Sequence, residues 1–183
     1  LKGEDEEYRR LREKAIELPG AEPAYLHGIA LVLQNRFRYR EALEMAKAAI
    51  KADENYWQAY STVGLNLLRL GCEEDASEYL EKSRDNDPFN VWTYNSLQLL
   101  MHIKDNFKEK ETEHFLIKLH GSEFDTLFPY VEKQADKSYE ILSEKYGVEF
   151  EEPILLEMFR KHDFFSARTV GLPGVPASGA CFG

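Results

Sequence analysis

Cysteine is nearly missing from this chain of 183 residues, which holds two, Cys72 and Cys181. Two thiols cannot build a disulfide framework, and unpaired thiols in a reducing compartment are the expected state. Positive charge is also in deficit. Asp and Glu number 33 against 23 Lys and Arg, for a formal charge of -10. Such a chain repels phosphate backbones and anionic lipids, so nucleic acid is not an expected partner. No apolar run approaches the roughly 20 residues that a membrane-spanning helix needs, and no membrane association is expected. The first twenty residues lack the apolar stretch of a signal peptide. With Leu1 at one end and Cys181-Phe182-Gly183 at the other, the chain reads as cut from a longer protein with a truncated N-terminus. Its compartment is unknown, cytoplasmic by default.

What is present is a packed-core composition, 43% hydrophobic and 31% charged, and an internal repeat. Residues 57–90 read WQAYSTVGLNLLRLGCEEDASEYLEKSRDNDPFN. Tyr60, Val63, Gly64 and Leu67 fall at helical spacing, a turn follows at Gly71, and Ala76, Leu80 and Ser83 mark a second helix before Pro88. Thirty-four residues earlier, Leu26, Ile29, Ala30 and Leu33 take the first-helix positions, and Ala42, Ala46 and Ala49 the second; Glu54 replaces the proline. Tyr8, Leu11 and Ala15, ending at Pro19, look like the second helix of an earlier unit, and Tyr94, Leu97 and Met101 like the first helix of a later one. This pattern resembles the tetratricopeptide family. Residues 1–104 are then an α-solenoid, with complete repeats at 23–56 and 57–90. Gly64, Ala30, Ala42 and Ala76 are expected where helix backbones meet closely.

In such a solenoid the first helices line the concave face. The positions pointing outward are Ala24, His27, Leu31, Gln34 and Asn35, then Gln58, Ser61, Leu65, Leu68 and Arg69, then Trp92, Asn95, Leu99, His102 and Ile103. His27, Leu31, Gln34, Gln58, Ser61, Leu65, Leu68, Arg69 and Asn95 are the expected peptide-binding residues. The apolar content of this face predicts either a hydrophobic partner or cover by another part of the same protein. The family's carboxylate-clamp subtype holds a C-terminal carboxylate with Lys. His27 and Ser61 stand where that Lys is expected, so no clamp is predicted.

The pattern changes after Lys104. Residues 104–111 read as a charged linker or the tail of a helix. Phe115, Ile117 and Leu119 alternate with His114, Leu116, Lys118 and His120, which predicts a strand. A helix is expected over 125–146, with Asp125 as N-cap, Pro129 in its first turn and Gly147 as its stop. A strand at 153–159, apolar enough to be central, precedes a short helix at 162–170. Residues 171–179 hold three Gly and two Pro and read as a loop. Residues 180–182 are expected to begin a further strand. The fold class is therefore α-dominant, a helical solenoid plus a small α/β segment of strand, helix, strand, helix, strand.

The stretches IKLHGSE, PILLEMF, HDFFSARTVGLPG and GACFG in residues 112–183 resemble the opening of the peptidase-MA-like (gluzincin-type, thermolysin-clan) domain found in bacterial tetratricopeptide proteins. That resemblance implies a zinc helix carrying His-Glu-x-x-His further along. No His-Glu dipeptide occurs in the chain, so no cofactor and no activity are expected here, and zinc is an expectation for a longer parent protein alone. The resemblance places Gly179, Ala180, Cys181 and Phe182 on the strand beside which such enzymes pair a substrate backbone. An open edge there also predicts a homodimer. The expected function is a protein- or peptide-binding tetratricopeptide module joined to a truncated, non-catalytic metallopeptidase-like domain. The alternatives are a pure interaction scaffold whose α/β part docks or dimerises, and an α/β part that folds back over the apolar groove as a lid.

Overall fold

The computed structural model describes residues 6–182 except 8, 11, 12, 15 and 19. The chain divides into two compact units, one running to Leu97 and rejoined from Pro176 onward, the other spanning Gln98–Val175.

The first unit is built of paired helices: α1 (Ala21–Asn35) with α2 (Tyr39–Ala52), α3 (Trp57–Arg69) with α4 (Glu73–Asn86), and then the start of α5 (Val91–Asn106). Tyr39 and Glu73, and likewise Trp57 and Val91, open helices one 34-residue step apart, so the repeat read from sequence is the structural unit. The described residues 6, 7, 9, 10, 13, 14 and 16 are also helical; Tyr8, Leu11, Ala15 and Pro19, which carried the reading of an earlier repeat, lie outside the described residues.

Small side chains seal these pairs. Ala30, Ala42, Ala46, Ala49 and Ala76 are fully buried. A Cβ added at Gly64 would stand 2.5 Å from Leu80 Cγ and 3.2 Å from the Ala76 carbonyl oxygen, which is why that position is glycine. Leu80, itself fully buried, fills the space that Gly64 leaves; burying a leucine contributes about 2 kcal/mol. The turn between paired helices needs a left-handed residue. Gly71 supplies it in the second repeat with φ 81°, whereas Phe37 supplies it in the first with φ 61°. For a residue with a Cβ that conformation costs about 1–2 kcal/mol. Glu73, Glu74 and Asp75 place their charge in the first turn of α4, where it complements the helix dipole.

In the second unit, β1 (Phe107–Glu111), β2 (Phe115–His120) and β3 (Ile154–Met158) form a sheet in that order among the described residues. β1 pairs antiparallel to β2, with Glu109 opposite Lys118, and β3 pairs parallel to β2, with Ile117 opposite Leu156. The crossover between β2 and β3 is α6 (Gly121–Tyr146), and α7 (His162–Val170) follows β3. The alternation read from sequence is what the sheet uses. Phe115, Ile117 and Leu119 are buried with Phe128 of α6, and Phe124, Leu127, Val131 and Ile154 close around them.

Five expectations are corrected here. Residues 104–111 are half helix tail and half strand. β1 is held by its charges: Lys118 pairs with Glu109 at 3.1 Å, Lys108 with Asp125 at 3.5 Å, and Lys110 lies 4.5 Å from the Phe128 ring centroid. Asp125 is no N-cap, because α6 starts at Gly121 and is capped by the His120 imidazole, whose Nδ1 accepts from the Ser122 amide at 3.2 Å. Pro129 therefore sits inside the helix rather than in its first turn; Gly147, with φ 63°, ends it as expected. β3 is an edge strand, because β1 takes the other side of β2 and leaves β2 in the centre. Finally, residues 180–182 form no strand. In the first unit, the Phe182 ring packs edge-on to Tyr39 at 6.3 Å instead.

Candidate functional site

The candidate site is the face made by the first helices of the repeats, α1, α3 and the start of α5. α3 is the most buried helix of the set, with Ser61, Thr62 and Asn66 buried among its apolar residues. A polar group in such a place must find a partner or lose about 1–3 kcal/mol. These three find theirs on the neighbouring first helices. His27 Nε2 on α1 lies 2.8 Å from Thr62 Oγ1. Asn66 Nδ2 donates to Gln34 Oε1 at 2.8 Å and to the Thr62 carbonyl at 2.7 Å. On the other flank, Thr93 of α5 donates to Ser61 Oγ at 2.9 Å. A ladder of polar rungs thus ties successive first helices together and fixes their spacing.

The proton order at His27 follows from its neighbours. Thr62 Oγ1 donates its own hydrogen to the Gln58 carbonyl at 3.2 Å. It must therefore accept from His27, which carries its hydrogen on Nε2. His27 Nδ1 is left to accept from Tyr56 Oη at 3.4 Å. This arrangement needs a neutral imidazole, and burial pushes the His27 pKa below the ordinary histidine value of 6.5.

The expected binding residues divide accordingly. His27 and Gln34 are half-buried rungs of the ladder, Ser61 is buried as a third, and Leu68 is buried as well. The Arg69 guanidinium lies 5.2 Å from the Tyr39 ring centroid. Leu65 and Asn95 are half-buried, and Leu31 and Gln58 are exposed. Of the other outward positions, Leu99 and Ile103 are buried and Trp92 is exposed. Among these outward positions Ala24, Leu31, Asn35, Gln58 and Trp92 are exposed, and Leu65 and Asn95 are half-buried. Sequence reasoning missed Thr62, Asn66 and Thr93. Two polar residues four apart within the apolar run of α3 were the available signal.

Gly179, Ala180, Cys181 and Phe182 have no strand to serve as a substrate edge or as a dimer edge. No group of three or more His, Cys, Asp or Glu side chains among the described residues could hold a metal ion. His114 and His120 stand at opposite ends of β2, His114 stacked on Tyr139 and His120 capping α6. Cys72 and Cys181 are free and exposed.

No family model matches the chain. The chain is similar to the small glutamine-rich tetratricopeptide repeat-containing protein 2 of Mycosarcoma maydis. Identity is 34% over 77 residues, which is 42% of this chain and 22% of that protein. The chain thus spans about a fifth of the length of the curated relative it matches. The paired helices on a 34-residue step agree with similarity to a relative that contains tetratricopeptide repeats. The peptidase-like resemblance of residues 112–183 finds no counterpart in these comparisons.

Proposed function

We propose that the first-helix face of the repeats binds a protein or peptide ligand, with Leu31, Gln58, Leu65, Trp92 and Asn95 as its contacts. The observation that carries this is the ladder beneath the face. His27–Thr62, Gln34–Asn66 and Ser61–Thr93 lock the helices into one spacing, and that rigidity leaves Leu31 and Trp92 as apolar anchors on a pre-organised surface. Ser61, Leu68, His27 and Gln34 support the surface rather than touch the ligand. The test is selection of peptides from a random library on the whole chain, followed by affinity measurement against Leu31→Glu and Trp92→Ala. Both positions are exposed, so folding is retained. A loss of tenfold or more with either variant supports the site, and unchanged affinity with both overturns it.

The α/β unit acts in the same reading as a second interaction element without catalysis. The peptidase-like resemblance is the alternative for the longer protein. It is favoured by the strand, long helix, strand and short helix that those residues form. Its test is the coding sequence beyond Gly183 together with the zinc content of the full-length product.

A further inference from the structure

The sheet of the α/β unit has one face left half-covered. α6 packs over β2 and approaches β1, while the same face of β3, formed by Ile154, Leu156 and Met158, opens into a groove of about 730 Å³. The far wall is the α6 stripe from Val131 to Tyr146, and Val148 and Phe150 close one end. Leu142 is 50% exposed, Tyr146 65% and Phe150 59%. A contiguous apolar surface of this kind marks a place where something binds.

Its shape and charge say what. In layered α/β structures a sheet face is covered by helices lying side by side and parallel, and here the place beside α6 within this unit is the open groove. The wall from Val131 to Tyr146 corresponds to a helix of about 15 residues at ~1.5 Å per residue. The end of the groove at Val148 and Phe150 is acidic. Glu149, Glu151 and Glu152 are all exposed there, and the negative end of the α6 dipole lies at the same place. Lys145, beside Tyr146 in the last turn of α6, is 5.0 Å from the Tyr146 ring centroid.

We infer that this groove docks an amphipathic helix of a partner protein, with an apolar stripe at i, i+3, i+4 and i+7 and Lys or Arg in its last turn. The helix runs parallel to α6, its stripe on Ile154, Leu156 and Leu142 and its basic end beside Glu149, Glu151 and Glu152. Cations in the last turn also suit the partner helix itself. This site is separate from the first-helix face and does not depend on the reading given for that face.

The experiment uses the whole chain and two synthetic 15-residue peptides that share one leucine stripe, one ending in three lysines and the other in three glutamates. Fluorescence anisotropy is expected to show the lysine-ended peptide binding at least tenfold more tightly. Leu142→Glu is expected to weaken that binding at least tenfold. Ile141→Glu, on an exposed neighbour outside the groove, should change it less than twofold. The triple variant Glu149→Gln, Glu151→Gln, Glu152→Gln is expected to abolish the preference between peptides; its changes are all on exposed side chains and leave the fold intact. Equal binding of the two peptides, or equal effects of Leu142→Glu and Ile141→Glu, overturns the inference. So does a concentration-dependent dimer, seen by light scattering, that Leu142→Glu dissolves, because a second copy would then be the occupant.

Discussion

In the helical repeats most of the fully sealed apolar residues are alanines, with a glycine at the closest approach to Leu80. In the α/β unit they are large, with Phe115, Ile117, Leu119 and Phe128 at the centre. The difference follows from what each unit packs. Helix against helix gains by bringing backbones together, so a small residue on one helix faces a larger side chain on the other, as Gly64 faces Leu80. Helix against sheet leaves about 10 Å between layers, and branched and aromatic side chains must fill it. The polar groups differ in the same sense. The repeats bury neutral hydroxyls and amides in rungs between helices, while the α/β unit buries an ion pair, Arg168 Nε to Glu157 Oε2 at 2.6 Å, with both side chains under a tenth exposed. The repeats also close their apolar faces pair by pair, whereas the sheet keeps one open.

The largest expected effect tests the ion pair. Arg168→Ala removes the guanidinium partner of the buried Glu157 carboxylate and should cost about 3 kcal/mol in urea unfolding. A cost under 1 kcal/mol would mean that water reaches Glu157 and that the contrast in buried charge is false. Next come the seams. Gly64→Ala drives a methyl into Leu80 and should cost about 1–3 kcal/mol. Gly28→Ala, where nothing lies within 4 Å of an added Cβ, should stabilise α1 by about 0.5–1 kcal/mol. Equal effects at the two glycines would break the account of small-residue packing. Phe37→Gly relieves a left-handed phenylalanine and should raise stability by up to about 1 kcal/mol, less whatever the edge-on contact of Phe37 with Tyr39 at 6.2 Å contributes.

The smallest effect is with pH. His27 in the repeats and His102 in the α/β unit are both held below the usual histidine pKa, each chiefly by burial, and His102 further by His120 and Lys161. As pH falls through 6.5, the unfolded chain takes up these protons while the folded chain does not. Stability present at neutral pH is therefore lost on acidification, from about pH 6.5 down to the folded-state values. His27→Gln and His102→Gln should each remove a share of that slope. A slope unchanged by His27→Gln would show that His27 binds protons equally in the folded and unfolded chain and would contradict the effect of burial.

The sequence made the seams legible because close approach allows few residues. Gly64, Ala30, Ala42 and Ala76 recur at one spacing and nothing larger fits. The alternation of Phe115, Ile117 and Leu119 was legible because one face of β2 is wholly buried. The stops at Gly147 and Gly171 were legible because both adopt positive φ at helix ends. β1 was hidden because FKEKE is an exposed edge strand with one apolar residue, held by cross-strand and strand-to-helix charges that only the fold brings together. The start of α6 was misplaced because a histidine, not the nearby aspartate, caps it. The candidate site was half legible. Helical phase put these residues on the first helices, but phase alone does not say that Ser61, His27 and Gln34 turn sideways to meet Thr93, Thr62 and Asn66.

The central claim is that the first-helix face is the ligand surface of the repeats. The most direct test is a titration of the isotope-labelled whole chain with a library-selected peptide, followed residue by residue through amide chemical shifts. The account predicts that the largest shifts fall at Leu31, Gln58, Trp92 and their helical neighbours. Shifts confined to residues 115–158 would place the ligand in the α/β groove instead and contradict the claim.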